Sequence, residues 1–182
     1  AGELSPFMYE IDEMMKLDPV RMVSRIRRDT RYTHDKHMYR DNLWVMFMRP
    51  KHEWRYHPCM WFEVCQDSFS YGVGTYDVTP ALMELYRKAL LERSDEFLKA
   101  AKSAESIGAA FSAEEYKKPK PGTPSGELQK YYNVKNLFFV KHRRDFKTLE
   151  SDEIIKQLKE EYKAYAPMYK FLLSISDEYI SS

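Results

Sequence analysis

Apolar positions recur at helical spacing over two long stretches of the chain and gather into short runs of strand length between them. From Thr79-Pro80 onward, Leu82, Leu85, Tyr86, Ala89, Leu90, Phe97 and Ala101 fall on one face, which predicts a helix of several turns opened by a good N-terminal dipeptide. Glu84, Arg87, Lys88 and Glu92 then belong to its solvated side. Near the C-terminus, Ser151-Asp152-Glu153 caps a second helix whose Ile154, Ile155, Leu158, Tyr162 and Tyr165 keep the period. Pro167 is expected to kink that helix or begin a new one, and Met168, Phe171, Leu172 and Ile175 resume the pattern after it. A first helix is expected from Ser5-Pro6 through Phe7, Ile11, Met14 and Met15, ending at Asp18-Pro19.

The middle of the chain reads differently. Leu43 to Met48 is a continuous apolar run that predicts a buried strand. Trp61 to Cys65 and Phe69 to Tyr76 predict two strands joined as a hairpin by Gln66-Asp67-Ser68, and Leu137 to Val140 predicts another, followed by the basic patch Lys141-His142-Arg143-Arg144. Gly72 and Gly74 flank Val73, a placement that marks a bulge or a close approach to the backbone, without the further glycine and helix start of a dinucleotide fingerprint. Lys117 to Gly126, with three prolines and two glycines, predicts a basic, mobile loop. Strands clustered centrally with long helices outside give an α+β fold, a central antiparallel sheet of about four to five strands covered by the helix from Thr79 and the C-terminal helix.

Composition narrows the class. A chain of 182 residues with 43% apolar and 15% aromatic positions can bury one core, so residues 1–182 are expected to form a single domain. The 29 basic and 28 acidic residues leave a net charge of +1, which removes the bulk electrostatic case for a nucleic-acid binder. Trp44, Trp54, Tyr56 and Trp61 beside Arg40, Arg49 and Arg55 offer only a local stacking platform, and core packing accounts for most of these rings. The longest apolar run falls far short of the roughly 20 residues that cross a bilayer, and no charged-then-apolar leader opens the chain, so a cytoplasmic protein without membrane contact is expected. Cys59 and Cys65, six residues apart in a strand, stand about 20 Å from each other, beyond the ~7 Å that a disulfide allows, and are expected as free thiols.

Charge is concentrated in one place. Between Arg21 and Arg40 seven Lys or Arg residues (21, 25, 27, 28, 31, 36, 40) face only Asp29 and Asp35, a local charge of +5. If extended, this segment sends Arg25, Arg27, Asp29 and Arg31 to one side and Arg28, Thr30 and Tyr32 to the other. Converging guanidiniums bind phosphate or carboxylate through forked donors; alternatively, the arginines clamp Asp29, Asp35 and backbone carbonyls in a structural network. His34, His37, His52, His57 and Cys59 match no metal-ligand spacing, and no nucleophile elbow, P-loop or His-Glu-x-x-His occurs, so neither metal nor cofactor is expected.

The same segment resembles the bacterial and fungal family known as domain of unknown function 2461, with the signature R-x-x-R-D-x-R-F-x-x-[DN]-K-x-x-Y. Arg25, Arg28, Asp29, Arg31, Asp35, Lys36 and Tyr39 stand at signature positions, and Tyr32 stands where the family usually has Phe. Tyr71 to Tyr76 is similar to the family's glycine-rich strand, although Val73 replaces a common third glycine; Tyr116 to Pro119 and Ala164 to Leu172 are similar to its late segments. The family's further helical segment ahead of the region aligning with Phe7 is missing, which suggests a fragment or a divergent member. The resemblance implies a fold and a site location, with no assigned reaction. The expected function is binding of a small phosphate- or carboxylate-bearing ligand through Arg25, Arg28, Arg31 and Lys36, with Asp29 and Asp35 positioning them and Tyr32 and Tyr39 stacking or donating hydrogen bonds. The competing expectation is a non-enzymatic interaction module in which the signature is structural.

Overall fold

A computed structural model describes residues 1–29, 31, 37–50 and 56–181. Its centre is a five-stranded antiparallel sheet of β1 (Leu43–Phe47), β2 (Cys59–Val64), β3 (Phe69–Thr75), β4 (Ala110–Ser112) and β5 (Leu137–Arg143), in spatial order β1-β2-β3-β5-β4. β2 and β3 form the expected hairpin, closed by Cys65 N–H donating to Ser68 O at 2.8 Å. Leu43 to Met48 was expected as a buried strand; β1 is instead at one end of the five-strand order, and only Phe47 in it is buried. β4 escaped the sequence pattern because its three residues are exposed or half-buried. β5 runs past the expected Val140 because Lys141, His142 and Arg143 continue the ladder against Tyr71, Ser70 and Phe69 of the wholly buried β3.

The helices also depart from the pattern in instructive places. α1 (Ser5–Ile11) stops well before Asp18, because Asp12 turns extended and its buried carboxylate accepts from Met14 N–H at 3.0 Å, Arg49 Nε–H at 2.8 Å and the Tyr169 hydroxyl at 2.7 Å. A short α2 (Pro19–Met22) follows, with the Asp18 carboxylate accepting from Val20 N–H. The single helix expected from Thr79 is two, α3 (Pro80–Glu92) and α4 (Ser94–Ser106), broken at Arg93, whose guanidinium lies 4.5 Å from the Phe171 ring centroid and donates to Ser174 Oγ. Arg87 is not on a solvated face: it is 2% exposed and donates to Glu84 at 2.7 Å. After α5 (Gln129–Tyr132) comes α6 (Glu153–Ser181), one helix of 29 residues that contains Pro167. The proline forfeits its own N–H bond, and Ser103 on α4 donates to the nearby Ala164 carbonyl at 2.9 Å.

Strand alternation sorts the sheet into two faces. One carries Phe47, Met60, Phe69, Tyr71, Val73, Leu137 and Phe139, all buried in a cluster shared with α3, α4 and α6. Three tyrosines fasten α6 to it: Tyr162 donates to Trp61 O at 2.7 Å, Tyr165 to Tyr71 O at 3.3 Å, and Tyr71 to Glu161 Oε2 at 2.7 Å. The other face carries Trp44, Met46, Trp61, Glu63, Phe138 and Val140, all half-buried. Among the described residues, no helix is long and apolar enough to cross a membrane.

Candidate functional site

The basic segment forms a two-stranded ribbon along the edge of β1. Val23 bridges Val45 and Arg27 bridges Tyr39, both antiparallel. Ser24 N–H donates to Trp44 O at 2.8 Å, Arg40 N–H to Ile26 O at 3.1 Å and Arg28 N–H to Met38 O at 2.9 Å. Between the bridges, residues 24–26 oppose residues 40–44, a bulge of two extra residues that contains Asp41 and Asn42. None of residues 23–29 or 37–43 is fully buried. The hydrophobic pattern missed this pairing because no apolar face points it toward the core.

Of the signature residues, Arg25, Arg28, Asp29, Arg31 and Tyr39 lie on this ribbon or continue it, while Tyr32, Asp35 and Lys36 lie outside the described residues. Arg31 clamps Asp29: its Nη2–H donates to Oδ2 at 2.6 Å, its Nε–H to Oδ1 at 2.9 Å, and its backbone N–H to Oδ1 at 3.2 Å. The clamp holds the Asp29 carboxyl down at about 2, with the Arg40 charge adding a little. Both side chains remain largely in solvent, 50% and 74% exposed, so the pair shapes the turn without a buried network. Arg25 and Arg27 are exposed and have no ion-pair partner among the described residues.

One basic residue outside the signature is held more tightly. Arg40 stacks its guanidinium 4.6 Å from the Trp44 ring centroid, and its Nε is buried with no acceptor among the described residues. Trp44 stands on the half-buried sheet face next to Glu63, which accepts from Asn42 Nδ2 at 2.5 Å. On the same face the Trp61 ring covers Gly72, and Phe138 covers Gly74, so the close approach expected at these glycines comes from neighbouring strands. The stacking platform suggested by the sequence divides: Tyr56 packs on Tyr179 and Arg49 pairs with Asp12 and Asp177, while Trp54 and Arg55 lie outside the described residues. His34 and His52 also lie outside them, and among the described residues no cluster of metal-ligating side chains occurs.

Residues 1–171 match the family described as "Conserved hypothetical protein (DUF2461)". The chain belongs to this family. No curated protein and no solved structure matches it. In this DUF2461 member Arg25 and Arg28 sit on a ribbon attached to the sheet through the main chain, and Arg40 stacks on Trp44 of the sheet face. Arg40 was present in the sequence as one cation among seven; only the bulge that brings it over Trp44 distinguishes it.

Proposed function

We propose that the ribbon binds a small phosphate- or carboxylate-bearing ligand. The observation that carries this reading is the Arg40 Nε, a buried donor with no acceptor among the described residues, on a residue whose main chain bonds Ile26 between the exposed Arg25 and Arg27. An unmet buried donor costs about 1–3 kcal/mol, and an anion oxygen would satisfy it. Arg25, Arg28, Arg31 and Lys36 supply the remaining positive charge, Asp29 orients Arg31, Asp35 is assigned the same orienting role, and Tyr32 and Tyr39 are assigned stacking or hydrogen bonding to the ligand. Forked guanidinium donors suit the oxygen geometry of phosphate and carboxylate.

Thermal unfolding in phosphate, citrate and chloride at matched ionic strength tests this. Phosphate or citrate should raise the melting temperature above that in chloride, by about 2.7 kcal/mol of stabilisation at a hundredfold excess over Kd. Arg40→Ala and Arg25→Ala should abolish the rise. Identical melting in all three anions would remove the proposal.

The Asp29–Arg31 clamp favours a second reading, in which the signature shapes a surface for a partner and binds no small ligand. Under it, Arg31→Ala changes the ligand-free ribbon, seen as altered backbone resonances at residues 26–29 and 38–40, and the anions have no effect on melting.

A further inference from the structure

The ribbon also has an outer edge. The ladder bonds are made by residues flanking the bridges, Ser24 beside Val23, and Ile26 with Arg28 beside Arg27, so Val23 and Arg27 turn their own N–H and C=O groups away from the strand they face. Arg25 lies between them, with a bend of the chain following at Ile26. The N–H groups of Val23, Arg25 and Arg27 make no backbone hydrogen bond. Arginines on an exposed edge ordinarily discourage pairing, but here they alternate with apolar side chains left in water: Val23 is 43% exposed and Ile26 is 63% exposed. Of the eleven exposed large apolar residues among those described, six (Val20, Val23, Ile26, Met38, Tyr39 and Leu43) belong to this ribbon and its immediate approach. That concentration is the signature of a surface meant to be covered.

Charge identifies what covers it. Pairing two copies of this edge would set Arg25 and Arg27 against the same arginines, and like charges facing across strands destabilise the pair. An acidic side chain opposite each arginine, with an apolar one opposite Ile26, satisfies both faces. We propose that the edge Val23–Arg27 receives an extended segment of a partner protein in which acidic and apolar residues alternate, added as a further strand. This goes beyond small-anion binding, since it uses main-chain groups that no small anion needs.

Fluorescein-labelled octapeptides of alternating Glu and Val, of alternating Lys and Val, and of Glu alone test the proposal by anisotropy at physiological salt. The Glu-Val peptide should bind at least about tenfold more tightly than either control, and should slow hydrogen exchange at the Arg25 and Arg27 amides. Arg27→Pro removes one outward N–H and none of the inner ladder bonds; it should weaken binding about tenfold with unchanged melting. Should that variant melt lower, the double substitution Arg25→Glu, Arg27→Glu should transfer the preference to the Lys-Val peptide. Equal binding of the two glutamate peptides, or binding without slowed exchange at residues 25 and 27, would overturn the proposal. Phosphate-dependent melting is read separately, so either proposal can fail while the other stands.

Discussion

The indole of Trp61 occupies the space that a side chain on Gly72 would need: a Cβ there would lie 2.7 Å from the ring's Cη2 and would collide with the Phe139 carbonyl oxygen. The two residues face each other across the β2–β3 ladder, and Trp61 meets the edge of Phe138 with ring centroids 5.5 Å apart. Gly72→Ala should therefore force strands apart, because one of the obstructing atoms is backbone and cannot rotate away. Overpacking of this kind costs about 1–3 kcal/mol, and the fixed carbonyl places it at the upper end. Chemical denaturation would show a lowered midpoint. Wild-type stability in the variant would mean that Trp61 leaves the strand readily.

Asp12, Arg49 and Tyr169 form a buried knot joining the end of α1, the end of β1 and α6. Arg49 also donates to Asp177 at 2.8 Å, near the C-terminal end of α6. Replacing Arg49 by Ala leaves the Asp12 carboxylate buried and short of its main partner, a loss of roughly 3–5 kcal/mol. Replacing Asp177, which is half exposed, should cost far less. Urea midpoints of the two variants decide the ranking, and equal losses would contradict it.

Acid should weaken the fold through two carboxylates. Burial pushes Asp12 and Glu161 up, but hydrogen bonds overcome it, from Arg49 and Tyr169 on Asp12 and from Tyr71, Lys141 and Gln157 on Glu161, so both end below their ordinary values. A carboxyl lowered by folding contributes stability above its unfolded pKa, near 4, and that contribution is lost as pH falls through the folded value. The denaturation midpoint should hold steady above about pH 5 and drop below about pH 4. Asp12→Asn should be weaker at neutral pH and fall less steeply in acid. An acid limb as steep as the wild type's would show that Asp12 is not a source of it.

The two thiols should separate kinetically. Cys59 is buried, and burial pushes its thiol up to about 12. Cys65 is only half-buried, with burial, Glu63 and Asp67 all raising it. Because the thiolate is the reactive form, alkylation of the native protein should mark Cys65 slowly and Cys59 only on unfolding. Peptide mapping after a timed iodoacetamide pulse reads this directly, and comparable labelling of both cysteines would refute it.

Periodicity revealed the elements whose burial is one-sided. α6 and the β2–β3 hairpin carry long apolar stripes against one core, and their positions could be read without the structure. The break at Arg93 was hidden because Leu90 and Phe97 stay buried on either side of it, so the apolar pattern runs through the interruption. Arg87 looked solvated by type and spacing; its burial depends on Glu84, the Val134 carbonyl and the Tyr116 ring, two of which come from distant parts of the chain. The candidate site was legible as a charge cluster and a signature. Its shape was not, since pairing between residues 23–28 and 38–45 rests on main-chain bonds and a bulge, neither of which leaves a hydrophobic period.

Because none of the described residues between 23 and 43 is fully buried, the fold asks little of their amino-acid identities. A chain that kept the alternation there but exchanged every arginine for threonine should still close the same interior. Substitutions in that stretch should therefore show at the surface and hardly at all in the stability of the interior.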